Sequence, residues 1–66
     1  MLARMVEYDV RLFKADGSLA VLVKVLAKCD DDACVEASEL IHGNIASATV
    51  WLDRKLVRTL YPDQTD

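Results

Sequence analysis

Residues 5–14, MVEYDVRLFK, alternate between apolar and polar positions. Val6, Tyr8, Val10 and Leu12 fall on one side, and Glu7, Asp9 and Arg11 on the other. A period of two is the mark of a strand with one buried face. Residues 19–29, LAVLVKVLAKC, repeat it, with Leu19, Val21, Val23, Val25 and Ala27 on one side. Between these runs stands Asp16-Gly17. Asp-Gly suits a two-residue type I′ turn, in which both central residues need φ > 0. Such a loop sets Leu12 against Val21, Val10 against Val23 and Tyr8 against Val25, and on the opposite face Asp9 against Lys24. Turn chemistry, apolar register and an opposite-charge pair all agree on this hairpin.

The period then changes. Asp30, Asp31 and Asp32 precede ACVEASELIH, and Gly43 follows it. Aspartate suits the N-cap and the first turn, where it complements the helix dipole. Glycine just past the last turn is a common stop. Ala33, Cys34, Ala37, Leu40 and Ile41 share one stripe, while Glu36, Ser38, Glu39 and His42 lie away from it. This predicts an amphipathic helix of about three turns whose small side chains allow close approach to a sheet. NIASATVWLD and LVRTLY predict two further strands, joined by a turn at DRK. Pro62 ends the last strand, because it has no N–H for a ladder. The expected fold is α+β, in the order ββαββ: a four-stranded, mostly antiparallel sheet with one helix packed on one face. It forms a single small domain over residues 1–66, with residues 1–4 and 62–66 expected to fray.

One helix covers only one face. The first hairpin assigns that face to Val6, Tyr8, Val10, Leu12, Val21, Val23 and Val25, and the second adds Ala46, Ala48, Val50 and Val57. The other face is left with Phe13, Leu22, Leu26, Ile45, Trp51, Leu56 and Leu60, among Glu7, Asp9, Arg11, Lys24, Lys28 and Arg58. Burying one large apolar side chain gains roughly 1.5–3 kcal/mol, and contiguous apolar patches mark interaction sites. The expected function is therefore association without catalysis. The expected partner is a second copy of the chain, bound through this face or through paired edges, and another protein is a further candidate. A domain this small gains from such a partner, because it buries only about 60% of its unfolded surface when alone. The alternative is weak binding of single-stranded nucleic acid by Arg11, Lys24, Lys28 and Arg58 with Phe13 and Trp51.

Composition adds limits. The chain is 53% hydrophobic and 29% charged, which places it among globular proteins. A net charge of −3 gives no general pull toward nucleic acid or acidic membranes. No run approaches the roughly 18 apolar residues of a membrane span, and no secretory leader pattern is visible. The expected compartment is the cytoplasm. Cys29 and Cys34, spaced C-x4-C with His42 further on, lack the second ligand pair that zinc needs. Both are expected to stay reduced and to act as small buried apolar residues. Three neighbouring aspartates oppose a thiolate at Cys34. The aspartate run lacks the alternating acids, central glycine and terminal glutamate of a calcium loop. His42 is read as a surface residue in the last helical turn. No phosphate loop or nucleophile motif occurs, so no catalytic residue, metal site or cofactor is expected.

The layout resembles short uncharacterised bacterial proteins of alphaproteobacterial type. These run strand, Asp-Gly turn, strand, acidic-capped helix, then a closing hairpin with Val-Trp, a charged turn and Leu-Val. The corresponding pieces are RLFKADGSLA, CDDDACVEASEL and TVWLDRKLVRTL. The cysteine pair and the very apolar second strand depart from that pattern. The resemblance implies the ββαββ fold and brings no activity with it.

Overall fold

β1 (Val6–Lys14) lies between β2 (Leu19–Ala27) and β3 (Ile45–Leu52), and β4 (Lys55–Leu60) follows beyond β3. Every neighbouring pair is antiparallel. α1 (Asp30–Ser38) joins β2 to β3 and carries the chain across β1. This arrangement comes from a computed structural model that describes residues 4–62. The expectation of frayed ends falls largely on residues 1–3 and 63–66, which lie outside the described residues. The fold is the α+β, ββαββ arrangement that the patterning predicts. The strand order β2-β1-β3-β4 is new information from the structure.

The first hairpin has the expected register. Tyr8 faces Val25, Asp9 faces Lys24, Val10 faces Val23 and Leu12 faces Val21. The turn that produces it differs from the expected one. Gly17 N–H donates to the Lys14 carbonyl and Lys14 N–H to the Ser18 carbonyl, both at 2.9 Å, which closes a three-residue loop. Gly17 sits at φ 89°, but Asp16 is not in the left-handed region. Its carboxylate instead accepts the Ser18 N–H at 2.9 Å and the Ser18 Oγ–H at 2.7 Å. Those bonds hold the Asp16 carboxyl below its ordinary range. The longer loop alone would shift the register by one residue. A bulge cancels the shift: Phe13 faces Leu19 while Leu12 faces Val21, so Ala20 has no partner on β1. Leu19 consequently joins Phe13's side of the sheet, not the side of Val21.

The second hairpin uses the turn expected of the first. Asp53 and Arg54 both have positive φ, 51° and 68°, between the paired residues Leu52 and Lys55. This is a type I′ geometry built without glycine.

α1 is shorter than expected. It ends at Ser38 with Glu39 as C-cap, so Gly43 and His42 lie beyond it. Gly43, at φ 63°, serves the loop into β3, where Ile45 N–H donates to the His42 carbonyl. At the other end the N-cap is Cys29, in extended backbone and without a side-chain cap. The three aspartates occupy the first turn, where they complement the dipole without capping it.

The core lies between α1 and the sheet. Tyr8, Val10, Leu12, Val25, Ala27, Ala33, Cys34, Ala37, Ala48 and Val50 are buried, with Leu40, Ile41, Ile45, Val57 and Leu60 packed around them. Four of the ten are alanines, so the layers are close and the apolar area is small. A helix of nine residues is about 14 Å long, against about 30 Å for nine-residue strands. It cannot cover the whole sheet, and Val21, on its side, stays 46% exposed. Among the described residues no helix is long and apolar enough to cross a membrane.

Candidate association surface

The face opposite α1 can be read in rows across the strands. Leu26 on β2 faces Glu7 on β1. In the next row Lys24 faces Asp9, Asp9 faces Trp51, and Trp51 faces Leu56. Leu22 then faces Arg11, which faces Thr49, which faces Thr59. Leu19 faces Phe13, which faces Ser47, in the last row. Phe13, Leu22, Leu26, Trp51 and Leu56 thus lie on the expected face.

Ile45 and Leu60 do not. Lys14 faces Ile45 while Phe13 faces Ser47, so a bulge at Ala46 turns Ile45 under the helix. Val50 faces Arg58 while Trp51 faces Leu56, so a second bulge at Val57 turns both Arg58 and Leu60 to the helix side. There Arg58 Nη2 lies 3.6 Å from Asp31 Oδ1 on α1, an exposed ion pair. Period-two counting cannot see a bulge, because each inserts one residue and inverts every side chain beyond it.

The polar residues of the open face are engaged with each other. Lys24 Nζ donates to Asp9 Oδ1 at 2.9 Å and lies 3.8 Å from Glu7 Oε1. The Asp9 hydrogen bond, and then the charges of Asp9 and Glu7, raise the Lys24 pKa above its ordinary value. The Arg11 guanidinium lies over the Trp51 ring, 4.6 Å from its centroid. Trp51 Nε1–H donates to Thr49 Oγ1 at 2.8 Å. The residues set out for nucleic acid are therefore divided. Arg58 is on the other face, Arg11 occupies the indole face that a base would stack on, and Lys24 is held by two acids. Lys28, just past β2, lines an open groove of about 280 Å³ with Met5, Leu26, Ala27, Asp32, Val35 and Glu36.

The two edges of the sheet are built differently. β4 is six residues long and carries Lys55, Arg58 and the bulge at Val57, with Pro62 shortly after it. Charges, bulges and proline are devices that discourage strand addition. β2 is nine residues long and has one charge, Lys24, which is drawn inward toward β1. Leu22 and Leu26 are 52% and 56% exposed on its open face, and Val21 is half-exposed on the other. Alternation alone places the leucines on that face. The edge is not encoded in alternation, because which strand ends a sheet depends on topology.

The cysteines separate. Cys34 is buried, but Cys29 is exposed, contrary to the expectation that both are buried. Cys29 is the N-cap, at the corner where β2 leaves the sheet. Burial, followed by the charges of Asp30 and Asp31, raises the Cys34 thiol, against a lowering by Arg58. A thiol so placed is a weak nucleophile. Among the described residues no three His, Cys, Asp or Glu side chains gather as a metal site.

Tyr8 and Asp30 tie the helix to the sheet. The buried Tyr8 hydroxyl donates to Asp30 Oδ1 at 2.7 Å. That bond, then burial and the Asp30 charge, raise the Tyr8 pKa from 10.0 to about 12. The native state therefore holds this proton more tightly than the unfolded chain does. The contribution is fully present below pH 10 and is lost as the pH rises through 12. An alkaline titration followed by tyrosinate absorbance should show a step near pH 12 that Tyr8→Phe abolishes. Ionisation of Tyr8 at the ordinary tyrosine value in the folded protein would contradict the contact.

No protein-family model, curated protein or solved structure matches the chain.

Proposed function

We propose that the protein acts by association and not by catalysis, and that its first partner is a second copy of itself. The observation that carries this reading is the exposed apolar surface of β2, where Leu22 and Leu26 stand on the open face and Val21 on the other. Leu56, beside Trp51, extends the surface toward β4. The small core gives association an energetic reason. A domain of this size rests on only about 3–5 kcal/mol, and burial against a second copy adds to that by mass action. A reducing, cytoplasmic setting suits the two unpaired thiols.

The test is solution mass by light scattering across a concentration series, with a reducing agent present. A mass rising toward twice 7.4 kDa supports the reading. A mass that stays at 7.4 kDa throughout removes it. Insensitivity of the larger species to salt is expected for apolar contact. A salt-sensitive complex with single-stranded RNA would instead favour nucleic acid.

A further inference from the structure

We infer that two copies join through antiparallel pairing of their β2 edges about a two-fold axis at Val23, making one continuous eight-stranded sheet. This rests on the association reading and specifies its geometry. A symmetric antiparallel pair sets residue i against residue j of the other strand at a constant sum, and both side chains share a face. The axis must therefore pass beside one residue of β2. The strand runs from Leu19 to Ala27, and Val23 is its centre.

That register sets Val23 against itself and Val21 against Val25 of the second copy, which places valines together on the helix side. On the open face Leu22 meets Lys24 of the second copy, and Ala20 meets Leu26. Leu22 is then diagonal to both Leu22 and Leu26 of the other strand, within reach of long side chains. Two separate leucines per copy become four contiguous ones. Val21, which the short helix leaves half-exposed, gains an apolar neighbour. The two Lys24 ammonium groups are diagonal to each other but never directly opposite, and each is held by Asp9 and Glu7 of its own β1. Moving the axis by one residue to Lys24 would set the two ammonium groups opposite each other. Moving it to Leu22 would leave Leu26 opposite Ser18, beyond the strand, and bring the bulge at Ala20 closer to the axis. Lys24 also fails as a guard against edge pairing, because Asp9 and Glu7 on β1 hold it away from the open side. β4, with Lys55, Arg58 and its own bulge, has no comparable self-complementary run.

The test compares Leu22→Lys with Leu22→Glu. Leu22 is exposed in the single chain, so both variants should keep the wild-type circular dichroism spectrum. In the proposed register, lysine at 22 faces Lys24 of the second copy, and the axis repeats the repulsion. Glutamate there faces the same lysine with opposite sign. Dissociation constants from light scattering or sedimentation should place Leu22→Lys on the order of tenfold or more weaker than Leu22→Glu. The Leu22→Glu dimer should also weaken with added salt. Equal weakening of both variants would overturn edge pairing and point to face-to-face packing, leaving association itself intact. Two unweakened variants would also overturn it, because the contact would lie away from β2. A wild-type protein that is monomeric at every concentration would remove both the inference and the reading beneath it.

Discussion

Val10→Ala should cost roughly 2 kcal/mol of stability, from two lost methyl groups at about 0.8 kcal/mol each and the cavity they leave. Val10 is fully buried at the middle of β1, one of the two interior strands. It faces Val23 on β2 and the fully buried Val50 on β3, so neither neighbour is free to collapse into the space. About 2 kcal/mol is close to half of the roughly 3–5 kcal/mol that a core this small supplies. Urea denaturation at low protein concentration should show a lower midpoint with an unchanged slope. Raising the protein concentration should recover part of the loss, since association stabilises the folded state by mass action. A cost below about 0.5 kcal/mol would be the size of an ordinary surface substitution, and would mean that the core is not centred on β1.

Arg54→Gly should act in the other direction. Asp53 and Arg54 both hold left-handed backbone in the β3–β4 turn. An L-residue with a Cβ pays roughly 1–2 kcal/mol there, which glycine avoids. Glycine's extra freedom in the unfolded chain offsets part of this. The expected gain is about 1 kcal/mol, or a Tm rise of about 4–8 °C for a domain of this size. Gly17→Ala is the matched control. Gly17 is at φ 89°, and a Cβ there would meet nothing within 4 Å, so conformation alone sets the penalty. That variant should be destabilised by a similar amount. A neutral Arg54→Gly combined with a destabilising Gly17→Ala would mean that the β3–β4 turn is not type I′.

The open face was only partly legible in the sequence, and the losses have one cause. Phe13, Leu22, Leu26, Trp51 and Leu56 were placed correctly because no bulge separates them from the register counted. Ile45, Arg58 and Leu60 lie on the helix side, opposite to what alternation predicts, because bulges at Ala46 and Val57 invert the alternation beyond them. Misplacing Arg58 mattered most, since it lent the nucleic-acid reading a cation that sits beside Asp31 on the helix side. The helix was legible as an element but not in its ends. Asp30 suits a cap by residue type, yet its carboxylate accepts the Tyr8 hydroxyl from the sheet.

The sequence by itself determined the elements, their order and the pairing of β1 with β2. Those follow from local periodicity and from matching cross-strand residues, which neighbouring segments carry in full. It also determined the helix stripe of Ala33, Cys34 and Ala37, because helical spacing is local as well. Only the tertiary structure decided that β3 pairs with β1, which leaves β2 at an edge. It also decided which Asp-containing turn takes the left-handed pair. At Asp16, hydrogen bonds to Ser18 favour a longer loop, and the buried register is restored by a bulge. At Asp53 the type I′ turn holds although glycine is absent from both central positions. Burial of one sheet face is worth several kcal/mol and is shared among strands far apart in the chain, whereas a turn preference is worth about one. Where they conflict, the face prevails, and only the assembled sheet shows how.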